Sequence, residues 1–444
     1  MKLFVVSLGC DKNLVDTEFM LGIIDKHGYV ITDDESEADV IIVNTCCFIH
    51  DAMQESIDTI LEMAQYKEQN CKALIVCGCL AQRFADDIRE EIPEVDAVIG
   101  TASYDRIAEA IENTISGGTI VSKDMLNRLP MPDVKRMLTT PGHFAYLKIA
   151  EGCNKCCTYC IIPKIRGPFR SYPIERIVSE AEELARDGVK ELILVAQETT
   201  VYGTDIYGTK MLPKLLKRLC DIEGIRWIRL LYAYPEEITD ELIEVMASEP
   251  KICHYIDMPV QHASDAVLKR MGRRTSEEEL YEIIEKLRNA MPDIAIRTTL
   301  ISGFPGESEE DFEELYNFVD EVEFARLGVF TYSQEENTPA YDMPNQIDEE
   351  VKRARCDELM QLQQEIAFEK AETMVGMHLE VIVDGYLPDD DVYVCRTYMD
   401  APDVDGMLFM STDRRFVTGD MTEVEVIGAN GYDLEGRCID ESAE

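Results

Sequence analysis

The run from Glu151 to Cys160 carries Cys153, Cys157 and Cys160 in a C-x3-C-x2-C pattern, directly after a short apolar stretch, Ala145 to Ile149. Iron–sulfur clusters are held by cysteine thiolates, normally four of them. Three thiolates on one tight loop hold three irons of a cubane cluster and leave the fourth iron open. Cys156 adds a second pattern, Cys-x2-Cys-Cys-x2-Cys, that zinc could use. Zinc ribbons keep their two knuckles apart so that they converge. Here the knuckles abut, and four sulfurs from so short a stretch would be strained. The spacing therefore favours the open cluster over zinc, with Cys156 a bystander. Nothing marks the chain as secreted, which disfavours disulfides.

A second set emerges from the elements that must position it. Leu3 to Leu8, Val40 to Val43, Ala73 to Val76 and Ala97 to Ile99 read as buried strands, with amphipathic helices such as Val15 to His27 and Asp51 to Gln65 between them. That alternation implies a parallel sheet covered by helices, whose ligands sit beyond the carboxyl ends of the strands. Cys10, Cys46 and Cys79 each follow one of the first three strands. They can meet as a second three-cysteine site. The competing reading is a small buried hydrophobe at each position, and that is the reading for Cys47, Cys71 and Cys77.

Residues 122 to 141 read as a linker. From His143 to Lys370 the alternation resumes, with strands at Ala145 to Ile149, Glu191 to Val195, Trp227 to Leu231, Ala295 to Leu300 and Arg326 to Tyr332, and helices such as Ile174 to Asp187 and Ser276 to Ala290. Repeated βα units imply a barrel or partial barrel with its chemistry at the strand C-termini. The cluster loop, Gln197 to Thr200 and Gly303 to Glu307 all fall there. Glycines let a backbone approach a ligand closely, so the last loop suits a ribose or nucleoside; a plain tight turn is the alternative. Asp348 to Ala371 reads as a helix leading out of the barrel. Beyond it, Leu379 to Val383, Val392 to Thr397, Leu408 to Met410 and Glu423 to Gly428 predict a small five-stranded barrel of the oligonucleotide-binding type.

The chain has 444 residues and a formal net charge of −44, with 87 acidic against 43 basic residues. The terminal barrel region, from 375 onward, holds 17 Asp plus Glu against four Arg and no Lys. A groove for nucleic acid needs the reverse balance. A basic protein partner fits better, and a generally acidic proteome is the plainer explanation. No apolar run is long enough to span a bilayer. The stretch before Cys10 is too short for a signal peptide, so fifteen cysteines are expected as reduced thiols or metal ligands in the cytoplasm. A monomer is expected, since nothing suggests a long coiled coil.

The cluster loop resembles the radical S-adenosylmethionine superfamily. There the open iron chelates the amino and carboxylate groups of S-adenosylmethionine, and an aromatic residue before the last cysteine, here Tyr159, lies against the adenine. Over nearly its whole length the chain resembles radical S-adenosylmethionine methylthiotransferases. The matching stretches are Ser7 to Asp16, Val43 to Cys46, Gly78 to Arg83, Ile161 to Gly167 and Gly303 to Glu307. The resemblance implies an α/β architecture in three parts: a Rossmann-like N-terminal domain (1–125) with an auxiliary cluster on Cys10, Cys46 and Cys79; a radical S-adenosylmethionine core (139–370), a partial TIM barrel, with the second cluster on Cys153, Cys157 and Cys160; and a TRAM barrel (375–441). Glu198, Arg297, Gly303 and Glu307 join Tyr159 as candidate contacts to the cofactor or substrate.

Within the family the better match is the branch that modifies an aspartate of a small-subunit ribosomal protein, through Val195 to Gly203, Gln261 to Met271, Arg326 to Ser333 and Arg396 to Gly406. The resemblance implies two [4Fe-4S] clusters and S-adenosylmethionine, whose cleavage yields a 5′-deoxyadenosyl radical. It also implies an electron donor such as flavodoxin or ferredoxin, and methylthiolation at the β-carbon of the aspartate, free or on the ribosome. Gln334 and Asn337 depart from the expected proline and glycine. The rival readings are a tRNA adenosine methylthiotransferase, which the acidic barrel opposes, a cluster-bearing scaffold without turnover, and a zinc-stabilised adaptor.

Overall fold

Three apolar runs near the N-terminus become the centre of a sheet in the computed structural model, which describes residues 1–439. Strands β1 (Lys2–Ser7), β2 (Val30–Ile31), β3 (Val40–Thr45), β4 (Ala73–Gly78), β5 (Ala97–Ile99) and β6 (Ile120–Ser122) are all parallel, in the order β2-β1-β3-β4-β5-β6. β3 and β4 are buried at every position, as strands covered on both faces must be. Their side chains alternate between two cores: Ile41, Val43, Leu74 and Val76 enter one, and Val40, Ile42, Ala73 and Ile75 the other. The sequence reading found β1, β3, β4 and β5. The edges β2 and β6 escaped it because each offers only two apolar residues, too few to show a run or a period.

The expected linker is no free tether. Arg136 is buried between Glu18 and Glu180, at 3.3 and 3.1 Å, and Glu18 also accepts the Thr139 amide. The segment is thus pinned across the first two units.

Next come β7 (Phe144–Lys148), a small antiparallel ribbon of β8 (Ala150–Glu151) and β9 (Arg170–Ser171), then β10 (Glu191–Val195), β11 (Trp227–Leu230), β12 (Ile252–Asp257), β13 (Ala295–Ser302) and β14 (Arg326–Thr331). The sheet order is β14-β13-β12-β11-β10-β7, all parallel and unclosed, so the partial barrel is met. β12 was missing from the sequence reading, because His254 and Asp257 interrupt its apolar run. The convex face packs its helices around a core that includes Leu147, Leu192, Leu194, Ile228 and Leu300. The concave face presents Phe144, Ile193, Trp227, Cys253 and Tyr255 to the terminal barrel, forming one shared core.

The helix Glu349–Thr373 leads out of the central sheet, within two residues of expectation. It delivers the chain to a closed barrel of β15 (His378–Leu387), β16 (Val392–Thr397), β17 (Leu408–Ser411), β18 (Met421–Asn430) and β19 (Asp433–Cys438), in the order β15-β16-β17-β19-β18. Only β17 and β19 pair in parallel. The five strands agree with the sequence reading, although β19 was not placed there. The expected domain end at 441 lies outside the described residues.

Candidate functional site

The loop after β7 is built to hold three sulfurs in place. Gly152 has φ +75°, and a Cβ there would lie 2.2 Å from the Pro168 carbonyl oxygen; only glycine fits. Its amide donates to Gln197 Oε1 at 2.7 Å, and the Cys153 amide donates to the Gly167 carbonyl at 3.1 Å. The Lys155 amide donates to Cys153 Sγ at 3.3 Å. Thr158 ties the far end down, its amide to Met271 O and its hydroxyl to Arg270 O, both at 2.8 Å. Cys153 and Cys157 are buried and Cys160 half-buried, whereas Cys156 is exposed. Burial, with a smaller contribution from the neighbouring Cys157, pushes the Cys153 and Cys160 thiols up to about 12. Three thiolates here repel one another until cations neutralise them, which is how metal binding drives their deprotonation.

The second set meets at the carboxyl ends of three adjacent strands. Cys10 precedes the helix Asp11–Lys26, Cys46 follows β3, and Cys79 opens the short helix after β4. Gly9 (φ +87°) leaves room for Cys46, whose Sγ would be 2.9 Å from a Cβ there. Asn13 bonds the Leu8 and Thr45 carbonyls, both at 2.9 Å, and so laces the first two loops together. Ser56 closes on the Cys46 backbone, accepting its amide at 2.9 Å and donating to its carbonyl at 2.8 Å. Burial pushes Cys79 up to about 12; Arg166 opposes this, while Cys46 and Cys10 add to it. Burial also raises Cys46, as does Cys10.

Among the described residues no three Cys, His, Asp or Glu side chains converge closely enough for a single metal ion. Soft sulfur donors suit iron–sulfur chemistry rather than hard cations.

The two sets are joined by a buried ionic network. Arg166, just past the cluster loop, reaches Asp16 of the first domain at 2.7 Å and Glu151 at 3.3 Å, and bonds Asn13. Lys148 pairs with the same two carboxylates. From the other side Tyr232, at the end of β11, lies under Lys12 Nζ at 3.3 Å and donates to Asp11 Oδ1 at 3.2 Å. The strand ends of the two sheets therefore face each other. Tyr232 holds φ +59°, a strained conformation of the kind that collects at functional sites.

Glu198 is buried beside the cluster loop. Burial pushes it up to about 7, Thr200 and Lys155 (3.8 Å) draw it down, and Glu236 and Glu237 raise it. Its Oε2 has no hydrogen-bond partner, a buried acceptor open to a cationic or N–H-bearing ligand. Tyr159 is edge-on to Phe304 at 6.4 Å between centroids, which brings the Gly303–Glu307 loop to the cluster loop. Gly303 holds φ +71°, and a Cβ there would strike the Lys352 side chain at 2.3 Å. Glu307 is buried, paired with Arg355 at 2.7 Å, and accepts the Phe304 amide at 3.1 Å; it braces its own loop. Arg297 pairs with Asp257 at 3.0 Å and with Asp405 of the terminal barrel at 3.3 Å. Asn337 has φ +67°, so this departure sits where a glycine-like backbone is needed, and Asn tolerates it.

Sequence reasoning assigned no role to Asp16, Lys148, Glu151 or Arg166. One signal was available: Lys148 sits inside the apolar run of β7, and a buried strand charge demands partners. Tyr234 and Arg273 were also missed. Tyr234 Oη lies 3.8 Å from Cys157 Sγ, and Arg273 stacks on its ring at 4.3 Å.

Comparison with known proteins adds independent findings. The chain matches the Radical SAM superfamily over residues 147–319, the Uncharacterized protein family UPF0004 over 2–100 and the TRAM domain over 375–439. It is similar to a protein of Lachnoclostridium phytofermentans named ribosomal protein uS12 methylthiotransferase RimO, 60% identical over 98% of this chain and 99% of that one. Proteins of the same name from Acetivibrio thermocellus and Clostridium tetani are 51% and 49% identical, covering 100% and 99% of this chain and 99% and 98% of theirs. Among solved structures, the radical S-adenosylmethionine methyltransferase TsrM from Kitasatospora setae aligns with TM-score 0.54 at 13% identity, over 85% of this chain and 77% of that one. At that identity the likeness shows the fold alone.

Proposed function

This chain belongs to the family of ribosomal protein uS12 methylthiotransferases, RimO, and on that premise we propose that it adds a methylthio group to the β-carbon of an aspartate in that ribosomal protein. The observation that carries the proposal is the apposition of two three-cysteine loops, at the strand ends of two sheets that face each other through Arg166 and Tyr232. Cys153, Cys157 and Cys160 would hold one [4Fe-4S] cluster, and Cys10, Cys46 and Cys79 the other. When bound, these clusters and S-adenosylmethionine supply one-electron chemistry at an unactivated carbon and a sulfur source, with electrons from a donor such as flavodoxin or ferredoxin.

The protein's own part is placement. Gly152 and Thr158 fix the ends of the first loop; Asn13 and Ser56 fix the second. Glu198 Oε2 and the Tyr159–Phe304 pair are the groups best disposed toward S-adenosylmethionine beside the first loop. The acidic terminal barrel favours a basic protein over tRNA as substrate. No helix among the described residues is long and apolar enough to cross a membrane, and a ribosomal substrate puts the reaction in the cytoplasm. We take the working unit as a monomer.

The test separates the two cysteine sets. Replacing Cys153, Cys157 or Cys160 with alanine should abolish S-adenosylmethionine cleavage. Replacing Cys10, Cys46 or Cys79 should spare cleavage and stop methylthiolation. Continued 5′-deoxyadenosine formation in the first group, or continued product in the second, contradicts the assignment.

A further inference from the structure

The first half of the turn between β16 and β17 of the terminal barrel, Met399 to Pro402, is buried. It enters the concave face of the partial barrel and is bolted there by charged groups. Arg229, fully buried on β11, donates to the Tyr398 carbonyl. Arg326 of β14 pairs with Asp400. Asp405 accepts from Tyr255 Oη at 2.9 Å, from Arg297 at 3.3 Å and from the Ala401 amide at 2.9 Å. Gly406 fits because a Cβ there would lie 2.5 Å from the Tyr432 carbonyl. The turn is thus a braced insertion, held from four strands of the central sheet.

A chain of contacts leads from it to the second cysteine set. Asp405 meets Arg297, Arg297 meets Asp257, and Asp257 accepts the Tyr232 amide at 3.2 Å. Tyr232 then reaches Asp11, next to Cys10. Tyr146, on the concave side of β7, packs against the cores of both the terminal barrel and the first domain. All three parts of the molecule meet there. Asp403 and Asp11 both act on this tyrosine: burial raises it most, then Asp11, then Asp403. At this junction the carboxylate of Asp11 is buried and its Oδ2 has no hydrogen-bond partner. At the tip of the insertion, Asp403 and Val404 are exposed, Val404 to 61%. Asp403 holds φ +66°, a cost the fold sustains at a tip that makes no other hydrogen bond among the described contacts.

We propose that this insertion is a wall of the reaction cavity, and that Asp403 at its tip receives a lysine or arginine flanking the modified residue of the basic substrate protein. The inference rests on the reading of the chain as a ribosomal-protein methylthiotransferase. The remainder of the acidic barrel adds long-range attraction; Asp403 is distinguished by standing at the three-way junction on a braced turn. A charge pair formed at such an entrance is worth about 1 kcal/mol, or about fivefold in binding.

The test uses the full chain with its clusters reconstituted and purified uS12 as substrate. Asp403→Asn keeps the left-handed backbone, which Asn tolerates. It should raise KM about fivefold while kcat at saturating substrate holds, and flatten the rise of KM with salt. Asp403→Lys should raise KM further, and a single Lys→Glu or Arg→Glu change near the modified aspartate of the substrate should restore it. As a control on the same barrel, Glu425→Gln, on the far strand β18 and paired with Arg437, should change KM less than twofold. If both Asp403 variants keep the wild-type KM and salt dependence, or Glu425→Gln matches them, the insertion reads nothing and only the overall charge acts. If the wild-type enzyme modifies no ribosomal protein, the functional reading itself fails, an outcome distinct from equal KM values.

Discussion

Replacing Arg166 with methionine should weaken the protein more than any other single change between the two cysteine sets. The side chains of Arg166, Lys148, Asp16 and Glu151 are each at most 5% exposed. Two cations balance two carboxylates in this pocket. Methionine is of similar length, so the change removes a charge without leaving a large void. One carboxylate is then buried without a counter-charge, which costs about 3–5 kcal/mol. That is a large share of the roughly 5–15 kcal/mol that holds a domain folded. At about 2–4 °C per kcal/mol for domains of this size, the first transition in an anaerobic circular-dichroism melt should fall by roughly 10 °C. Adding Glu151→Gln restores the balance, leaving Asp16 with Lys148, and should recover much of the loss. A single variant melting within about 2 °C of wild type, or a double variant no better than the single, would refute the reasoning.

Two further perturbations test the geometry. Gly9→Ala adds a left-handed backbone penalty of about 1–2 kcal/mol and a Cβ 2.6 Å from that of Cys46; about half of the bound iron should be lost while S-adenosylmethionine cleavage persists, and full iron retention in elemental analysis would argue against the second site. Glu198 has an ordinary value of 4.5 and is pushed up to about 7 on folding. The folded, cluster-free chain therefore holds a proton that the unfolded chain releases, so stability is present below pH 4.5 and is lost as pH rises through about 7, by up to about 3 kcal/mol. Melting against pH should show this slope in wild type, and Glu198→Gln should remove it.

Much of the architecture was legible because its signals are local. Val40 to Val43 and Ala73 to Val76 are continuous apolar runs, the pattern of strands buried on both faces. The three central cysteines sit on one loop, so their spacing carries their geometry. Cys10, Cys46 and Cys79 were harder, since their meeting depends on strand order, which the alternation of elements supplied. The charges that join the domains were out of reach. Asp16 and Arg166 are 150 residues apart, and no periodicity links them. Arg297 shows the same limit from the other side: a lone arginine at a strand end reads equally well as a ligand contact or a brace, and only the position of Asp405 reveals that it is occupied by the terminal barrel. The linker failed for a related reason. Its prolines and scattered charge look free, yet Arg136 finds two carboxylates, buried Glu18 and half-buried Glu180, from two different helices.

The most direct measurement is the intact mass of the small-subunit ribosomal proteins from cells with and without this gene. The account predicts that uS12 alone is lighter by about 46 mass units in the deletion strain, the loss of one methylthio group delivered by cofactor chemistry, with methylthio-adenosine in tRNA unchanged. An unchanged uS12 together with lost methylthio-adenosine would contradict it and make tRNA the substrate.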